Sequence, residues 1–510
     1  MKGLMLLRTV GTVVRGIRTP IIKENDNLED IVIESIMEAK NTEGFEFHDK
    51  DVIAITEAVV GISEGNYANV DDIATDIKNK FNNPEELGIV YPILSRNRFS
   101  MVLRGISPLI ASDAHDLEYR HTRIKEKFNY GPVPMYGADE FEKMIEETKP
   151  DVVIVTSIDR THHRYIIKAM ELGCDVISEK PMTMDADKCQ EIIDCIERTG
   201  KNLRVTFNYR YAPDKTKVRE LIMNDTIGDV KQIHFEWLLD TSHGADYFRR
   251  WHRDKRNNGG LLVHKSTHHF DLVNFWIGSY PTKVFALGDL KFYGRANAEE
   301  RGITKFYYRS TNNEVAKGDP FAISIANGGE ASLYYNCEHE DGYIRDQSVF
   351  GDGISIEDTM NLVVQYANGA QMSYSLNAFS PWEGYKVAFT GTKGRIELEV
   401  VESVIPSEGG GFDRNSVIRE KKITVFPMFK APYRVEIPEA VGGHGGGDPV
   451  LQDDIFLENP PADPYNRAAG YIDGCMSILT GIAANKSIAT GMPVEVGSLV
   501  DIPGFKFKKV

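Results

Sequence analysis

Two stretches carry side chains that could do chemistry. The first, Gly259-Gly-Leu-Leu-Val-His264-Lys265-Ser266-Thr267-His268-His269-Phe270-Asp271-Leu272, groups three histidines, a lysine and an acid. Histidine titrates near neutral pH and serves as a general acid or base. On one continuous helix His264 and His268 would share a face, and so would His268 and Asp271. The second stretch is Glu179-Lys180-Pro181, where an ammonium group could polarise a substrate oxygen or share its proton. A zinc site on His264, His268 and His269 lacks an acid at a matching place, so no metal is expected. A packing histidine and a solvated surface lysine are the alternatives to a catalytic pair.

The elements that must position these groups can be read from residue 149 onward. Val152–Thr156 is a run of aliphatic and small residues that predicts a strand buried on both faces. Residues 162–173 carry Tyr165–Ile166, Ala169–Met170 and Leu172 near helical spacing, with Gly173 as the stop. Val176–Ser178 is a second short strand. Strand, helix and strand make a βαβ unit, whose ligands sit outside the carboxyl ends of the strands. Thr156, Ser157, Ile158 and Asp159 lie at one such end, and Glu179 and Lys180 lie at the next. A third strand, Leu203–Phe207, leads to Asn208. Upstream, Leu109–Ser112 reads as a strand ending at Asp113, which either caps the following helix or hydrogen-bonds a dinucleotide ribose. Downstream, strands are expected at 230–239, 283–287, 331–336, 360–366, 371–377 and 387–391, and tail helices at 468–479 and 482–484.

These motifs, in this order, resemble the Gfo/Idh/MocA family of NAD(P)-dependent oxidoreductases over about residues 108–510. Glu179-Lys180-Pro181 stands at the family's E-K-P, and Thr156 to His162 at its strand-end pattern, with Ile158 for the usual Pro and Asp159 for the usual Asn. His268 and Asp271 fall on the family's histidine and second acid, while His264 replaces its first Asp. The resemblance implies hydride transfer at a secondary alcohol of a sugar, cyclitol or derivative. His268 would act as base, Lys180 as polarising group, and His264 as a further participant. It implies a cofactor site at Asp113, Thr156, Ser157, Ile158, His162, Glu179, Lys180 and Asn208. It makes the ribose role the expected one for Asp113, and NAD rather than NADP the expected cofactor, since an acid there disfavours a 2′-phosphate. Substrate contacts are expected from Arg210, Trp251, Lys265, Asp271 and His444. The alternatives are glycoside cleavage by transient oxidation with NAD, which some family members perform, and a fusion product that no longer binds NAD.

No G-x-G-x-x-G precedes Asp113, so the first βα unit of a dinucleotide domain is missing from the pattern. NAD affinity should then fall sharply unless residues before 107 supply the phosphate contacts. Residues 1–107 instead resemble part of the coenzyme F-420 γ-glutamyl ligase family, through GIRTPIIKENDNLEDIV and DKDVIAITEAVVGISEGN. That family's later acidic metal ligands have no counterpart, so a fragment without ligase activity is expected. The expected class is α/β with three parts. Residues 1–107 are the ligase-like segment, 108–212 a partial Rossmann-like parallel sheet, and 213–510 an α/β domain with a large, mainly antiparallel sheet.

Composition narrows the partners. A net charge of −16 argues against nucleic acid and anionic membranes. The five scattered cysteines fit a reducing, cytoplasmic compartment. The apolar patch Leu4–Leu7 is interrupted by Arg8, Arg15 and Arg18, and no signal peptide or membrane span is expected. The resemblance alone implies a homo-oligomer.

Overall fold

The computed structural model describes residues 17–47 except 21, 24 and 25, then 53, and 140–508 except 328–329, 332–333, 404–419, 441–442 and 458. The chain divides into two compact units, Met1–Asp139 and Glu140–Val510. In the first, the described helix is α1 (Leu28–Glu43). The Asn27 side chain accepts from the backbone of Asp30, and Gly44 closes the helix in the left-handed conformation. Most of the ligase-like segment and all of Leu109–Asp113 lie outside the described residues.

The second unit holds two sheets. α2 (Phe141–Thr148) leads into three parallel strands lying in chain order, β1 (Val152–Val155), β2 (Asp175–Ser178) and β3 (Leu203–Val205). α3 (His162–Glu171) and α4 (Ala186–Thr199) are the crossovers, so the βαβ unit is present. α4 buries Cys189, Ile192, Ile193 and Ile196, between an Asp185 cap and a left-handed Gly200. β1 is not buried on both faces: Val153 and Val155 are buried, but Val152 and Ile154 are 44% and 51% exposed. Among the described residues it is an edge strand with helix α3 on one side, and such a strand alternates even when its sequence is uniformly apolar.

After α5 (Pro213–Met223) comes the large sheet, in order β11-β10-β9-β8-β4-β7-β6-β5-β12. Its strands are β4 (Val230–Asp240), β5 (Pro281–Asp289), β6 (Thr359–Tyr366), β7 (Gln371–Ser380), β8 (Glu383–Gly391), β9 (Gly394–Ser403), β10 (Glu420–Pro427), β11 (Tyr433–Val435) and β12 (Val494–Glu495). Only β4 and β7 pair in parallel. Between β4 and β5 run α6 (His243–Arg249), α7 (Leu261–His264) and α8 (Thr267–Ile277). Of the strand expected at 331–336, the described residues 331 and 334–336 form none. Residues 335–337 make a 3-10 turn, and the Tyr334 and Tyr335 rings instead receive the guanidiniums of Arg345 and Arg309 at 5.9 and 5.0 Å.

The two expected tail helices are one, α10 (Tyr471–Thr490), which follows α9 (Gly443–Phe456) and forms the spine between the sheets. Gly481 does not break it. A Cβ there would lie 2.2 Å from the Leu262 carbonyl oxygen, so the glycine lets α10 touch α7 backbone to backbone. The Asn485 amide donates to the Gly259 carbonyl at 2.7 Å, and Thr267 meets Ser477 at 3.0 Å, so α10 holds the histidine-rich stretch at both ends. Gly481→Ala should therefore destabilise the chain by about 1–3 kcal/mol, as overpacking does. It should also displace His264 and lower activity, although alanine is the better helix former. Thermal melting checks this.

Candidate active site

The Gly259-Gly260 pair has φ of +74° and +81°, which turns the chain from the site's rim into α7. The continuous helix that would put His264 and His268 on one face is interrupted. The Ser266 N–H bonds the Leu261 carbonyl, five residues back, and the Ser266 hydroxyl pairs with the Tyr374 phenol at 2.9 Å. Such wide turns break the helical ladder. His264, at the end of α7, and His268, in α8, therefore do not share a helix face, and the neighbouring histidines turn to different partners.

His264 turns toward the strand ends. Its Nδ1 lies 2.5 Å from Asp159 Oδ2, across 105 residues of chain. Lys180, at the end of β2, donates from Nζ to the His264 carbonyl at 3.3 Å. Lys180, Asp159 and His264 thus meet at the carboxyl edge of the parallel sheet. Burial raises Asp159 to about 7, against the pull of the Lys180 and His162 charges. Burial lowers Lys180, with Asp159 opposing. Burial and the Lys180 charge push His264 well below the usual histidine range, so its ring is neutral at pH 7.

His268 stacks on Tyr209, with ring centroids 4.2 Å apart and planes 13° from parallel. Its Nδ1 is fully buried without a hydrogen-bond partner among the described residues. Burial, with Lys180 and Lys265 nearby, also keeps it neutral. His269 is a core histidine. It stacks on Trp237 at 3.8 Å and its Nδ1 lies 2.7 Å from the Tyr374 phenol. The three histidines do not converge as zinc ligands would. Among the described residues no three histidine, cysteine or acidic side chains could hold a metal.

Lys265 is buried over the Trp237 ring at 5.2 Å, and burial lowers it while Glu383 and Glu402 pull it up. Glu383 accepts from His243 Nδ1 at 2.7 Å, which leaves His243 Nε2 to accept from the Tyr247 phenol at 3.2 Å. The Tyr247 ring lies 5.8 Å from that of His264. Trp251 lies over His252 at 3.6 Å, and His252 in turn lies 4.2 Å from His264. His444 is exposed, sits 5.8 Å from Tyr209, and is held by Asp448 at 2.8 Å. Asp448 also accepts from Asn208 at 2.7 Å, so the glycine-rich segment is tied to the end of β3. Within that segment His444, Gly445 and Gly446 are left-handed and non-helical, while helix follows to Phe456.

Three expected roles change. His162 offers no free nitrogen: Nδ1 and Nε2 each lie 2.8 Å from a carbonyl, of Pro181 and Ser157. It clamps the two strand-end loops together. Arg210 and Asp271, expected at the substrate, are 2% and 1% exposed and satisfy each other. Arg210 Nε and a terminal nitrogen bond Asp271 at 2.8 and 2.5 Å, and the same terminal nitrogen reaches Asp473 at 2.8 Å. Asp113 lies outside the described residues. Asp159 is a candidate that motif matching alone underrated: it meets His264 at the strand edge. Its signal was an acid where the pattern has Asn, paired with a histidine where the pattern has an acid.

A dinucleotide's nicotinamide half fits this edge. Thr156 and Ser157 are exposed at the end of β1, Ile158, Glu179 and Lys180 are partly exposed, and Asn208 holds a buried Oδ1 with no partner among the described residues.

Known proteins give the family. Residues 118–207 match the oxidoreductase family's NAD-binding Rossmann fold, and residues 219–496 its C-terminal alpha/beta domain. The putative oxidoreductase YteT of Bacillus subtilis is 35% identical over 440 residues, covering 81% of this chain and 98% of that protein. The D-glucoside 3-dehydrogenase of Escherichia coli is 36% identical over 225 residues, 44% of this chain and 59% of that one. The inositol 2-dehydrogenase of Rhizobium meliloti is 27% identical over 136 residues, 27% of this chain and 39% of that one.

The Arg210 assignment has a measurable consequence. Asp271→Ala leaves a guanidinium buried with one half-exposed partner, and should cost about 3–5 kcal/mol of stability. A substrate contact would instead raise KM at unchanged melting temperature.

With the strand-end lysine, the histidine-rich helices and both domain matches in place, the chain belongs to the Gfo/Idh/MocA family of oxidoreductases.

Proposed function

We propose that this chain is an NAD-dependent dehydrogenase that oxidises or reduces a secondary alcohol of a sugar, cyclitol or sugar derivative. The observation that carries the reading is the meeting of Lys180, His264 and Asp159 at one strand edge. The names of the glucoside and inositol dehydrogenases among its relatives support the substrate class. Thr156, Ser157, Ile158, Glu179 and Asn208 would hold the nicotinamide half of the cofactor, which supplies hydride acceptance or donation when bound. NAD is preferred over NADP on the strength of Asp113.

The remaining work falls to side chains of this chain. Lys180 spends one N–H on the His264 carbonyl and has others to polarise the substrate oxygen. His264 is the first candidate for the base. Ionised Asp159 accepts its Nδ1–H, which leaves the Nε2 lone pair to take the hydroxyl proton as the C–H bond breaks. Asp159 then stabilises the imidazolium that forms. His268 is the alternative base, neutral and stacked on Tyr209. Trp251, Lys265 and His444 would meet the substrate's ring and further hydroxyls.

Beyond the site, we infer self-association through the outer face of the large sheet, where Leu287 and Val363 are 64% and 54% exposed. Sedimentation as a monomer would exclude it. Buried free thiols at Cys174, Cys189, Cys195 and Cys475 support a reducing, cytoplasmic setting. Oxidised thiols in protein taken from its native cell would argue against that setting. The first 107 residues are best read as a ligase-like addition without ligase activity, and GTP turnover with glutamate and a divalent metal would overturn that.

Screening sugars and cyclitols with NAD should give a rise in NADH absorbance for at least one. Hydrolysis of a glycoside without net NADH would favour the glycosidase reading. Lys180→Met should lower kcat by roughly 10²–10⁴-fold. Alcohol oxidation needs Asp159 ionised, so kcat/KM should rise with pH around a midpoint near 7 and fall away below it. In Asp159→Asn that limb should vanish. A limb unchanged in the variant would assign the proton to another group.

A further inference from the structure

The chain as a whole carries −16, yet one corner of the site is built from positive charge. On α6, Asp246 receives three guanidiniums. Arg345 bonds it with both terminal nitrogens, at 2.6 and 3.1 Å, Arg250 reaches it at 3.1 Å, and Arg249 lies at 3.6 Å. Among the described residues none of the three has a second carboxylate within ion-pair distance. Their other partners, the Phe321 carbonyl for Arg249 and the Tyr343 phenol for Arg250, satisfy hydrogen bonds and cancel no charge. Two positive charges therefore stand uncompensated in a region where water screens weakly, since the side chains are 2% exposed at Arg249, 13% at Arg345 and 30% at Arg250.

This corner faces the proposed base. Tyr247, next in sequence to Asp246, lies 5.8 Å ring to ring from His264. Trp251, next to Arg250, lies 6.2 Å from His264. The Arg250 charge is felt by both His252 and His264. Arg250 is the most accessible of the three, and one of its terminal nitrogens has no hydrogen-bond partner among the described residues. An arginine held on one side by a carboxylate, with donors left over on the other, is set up to receive an oxyanion.

We propose that the substrate is an acidic sugar, whose anionic group is received at Arg250 while the hydroxyl to be oxidised lies at Lys180 and His264. This rests on the dehydrogenase reading for the hydroxyl, but not for the anion. A neutral polyol would leave the two charges unanswered, whereas a carboxylate or phosphate answers them. Trp251, partly exposed, offers aromatic surface to the sugar ring between the two points.

The test compares glucuronate and galacturonate, their neutral parents glucose and galactose, and the 6-phosphates of both, on the full-length chain with NAD present. Binding is read by calorimetry and turnover by NADH absorbance. An acid should bind at least about 30-fold more tightly than its neutral parent, and that preference should weaken as salt is raised. The tighter of the carboxylate and phosphate series identifies the anionic group. Arg250→Met should bring the acid-to-neutral ratio close to one, and Arg250→Lys, which keeps the charge, should retain part of it. Equal binding of acid and neutral sugars, no binding of any acid at about 10 mM, or an unchanged ratio in Arg250→Met would overturn the proposal. Tight acid binding without NADH formation would keep the anion site and remove the dehydrogenase reading for these sugars. NADH formation with a neutral sugar preferred would do the reverse.

Discussion

A buried contact, Asp159 to His264, joins the two halves of the site beside the bond from Lys180 to the His264 carbonyl. It links the loop after β1 to the end of α7, and the rest of the crevice is arranged so that it can exist. Taking a carboxylate out of water is costly unless something answers its charge. Lys180 and His162 partly answer it, yet Asp159 remains raised to about 7, so burial wins over its cationic neighbours. In the proposed dehydrogenase that balance would matter. A fully compensated carboxylate would be ionised at all working pH and would respond to nothing. One poised near neutrality would set which nitrogen of His264 carries the proton, and so whether the ring gives or takes one.

The surrounding structure fixes this contact from three sides. His162 ties the loops after β1 and β2 through two carbonyls, which holds Asp159 and Lys180 at constant spacing. The Arg210–Asp271–Asp473 network ties the crossover after β3 to α8 and α10. α10 touches α7 at Gly481, so the position of His264 depends on a helix that carries no catalytic group. The buried polar groups of the second unit thus fall into two kinds. Some specify geometry and are fully paired, as Arg210 and Asp271 are. Others, such as His268 Nδ1 and Asn208 Oδ1, are buried with no hydrogen-bond partner among the described residues.

Much of this was legible from the residues. The βαβ unit around Lys180, the strand-end position of Asp159 and most strands of the large sheet follow from apolar runs, periodicity and stop signals. What the sequence could not give was partner choice. His264, His268 and His269 look equivalent by type and spacing. The wide turn at Ser266 sends one to Asp159, one to Tyr209 and one into the core against Trp237. Arg210 and Asp271 looked like ligand-binding groups because both are polar and motif-placed; that they pair with each other is a long-range fact with no local signature. Residues 331–336 read as a strand because tyrosines favour strands, but arginines from elsewhere claimed the rings. The two tail helices expected on either side of Gly481 are one, and Gly481 is a contact to Leu262.

Whether a chain with no G-x-G-x-x-G before Asp113 still holds its cofactor decides the proposed activity. Calorimetric titration of the purified full-length protein with NAD and with NADP tests this directly. Saturable NAD binding at a one-to-one ratio, tighter than that of NADP, is expected. No heat of binding for either cofactor at about millimolar concentration would contradict the dehydrogenase reading, whatever the arrangement of Lys180, His264 and Asp159.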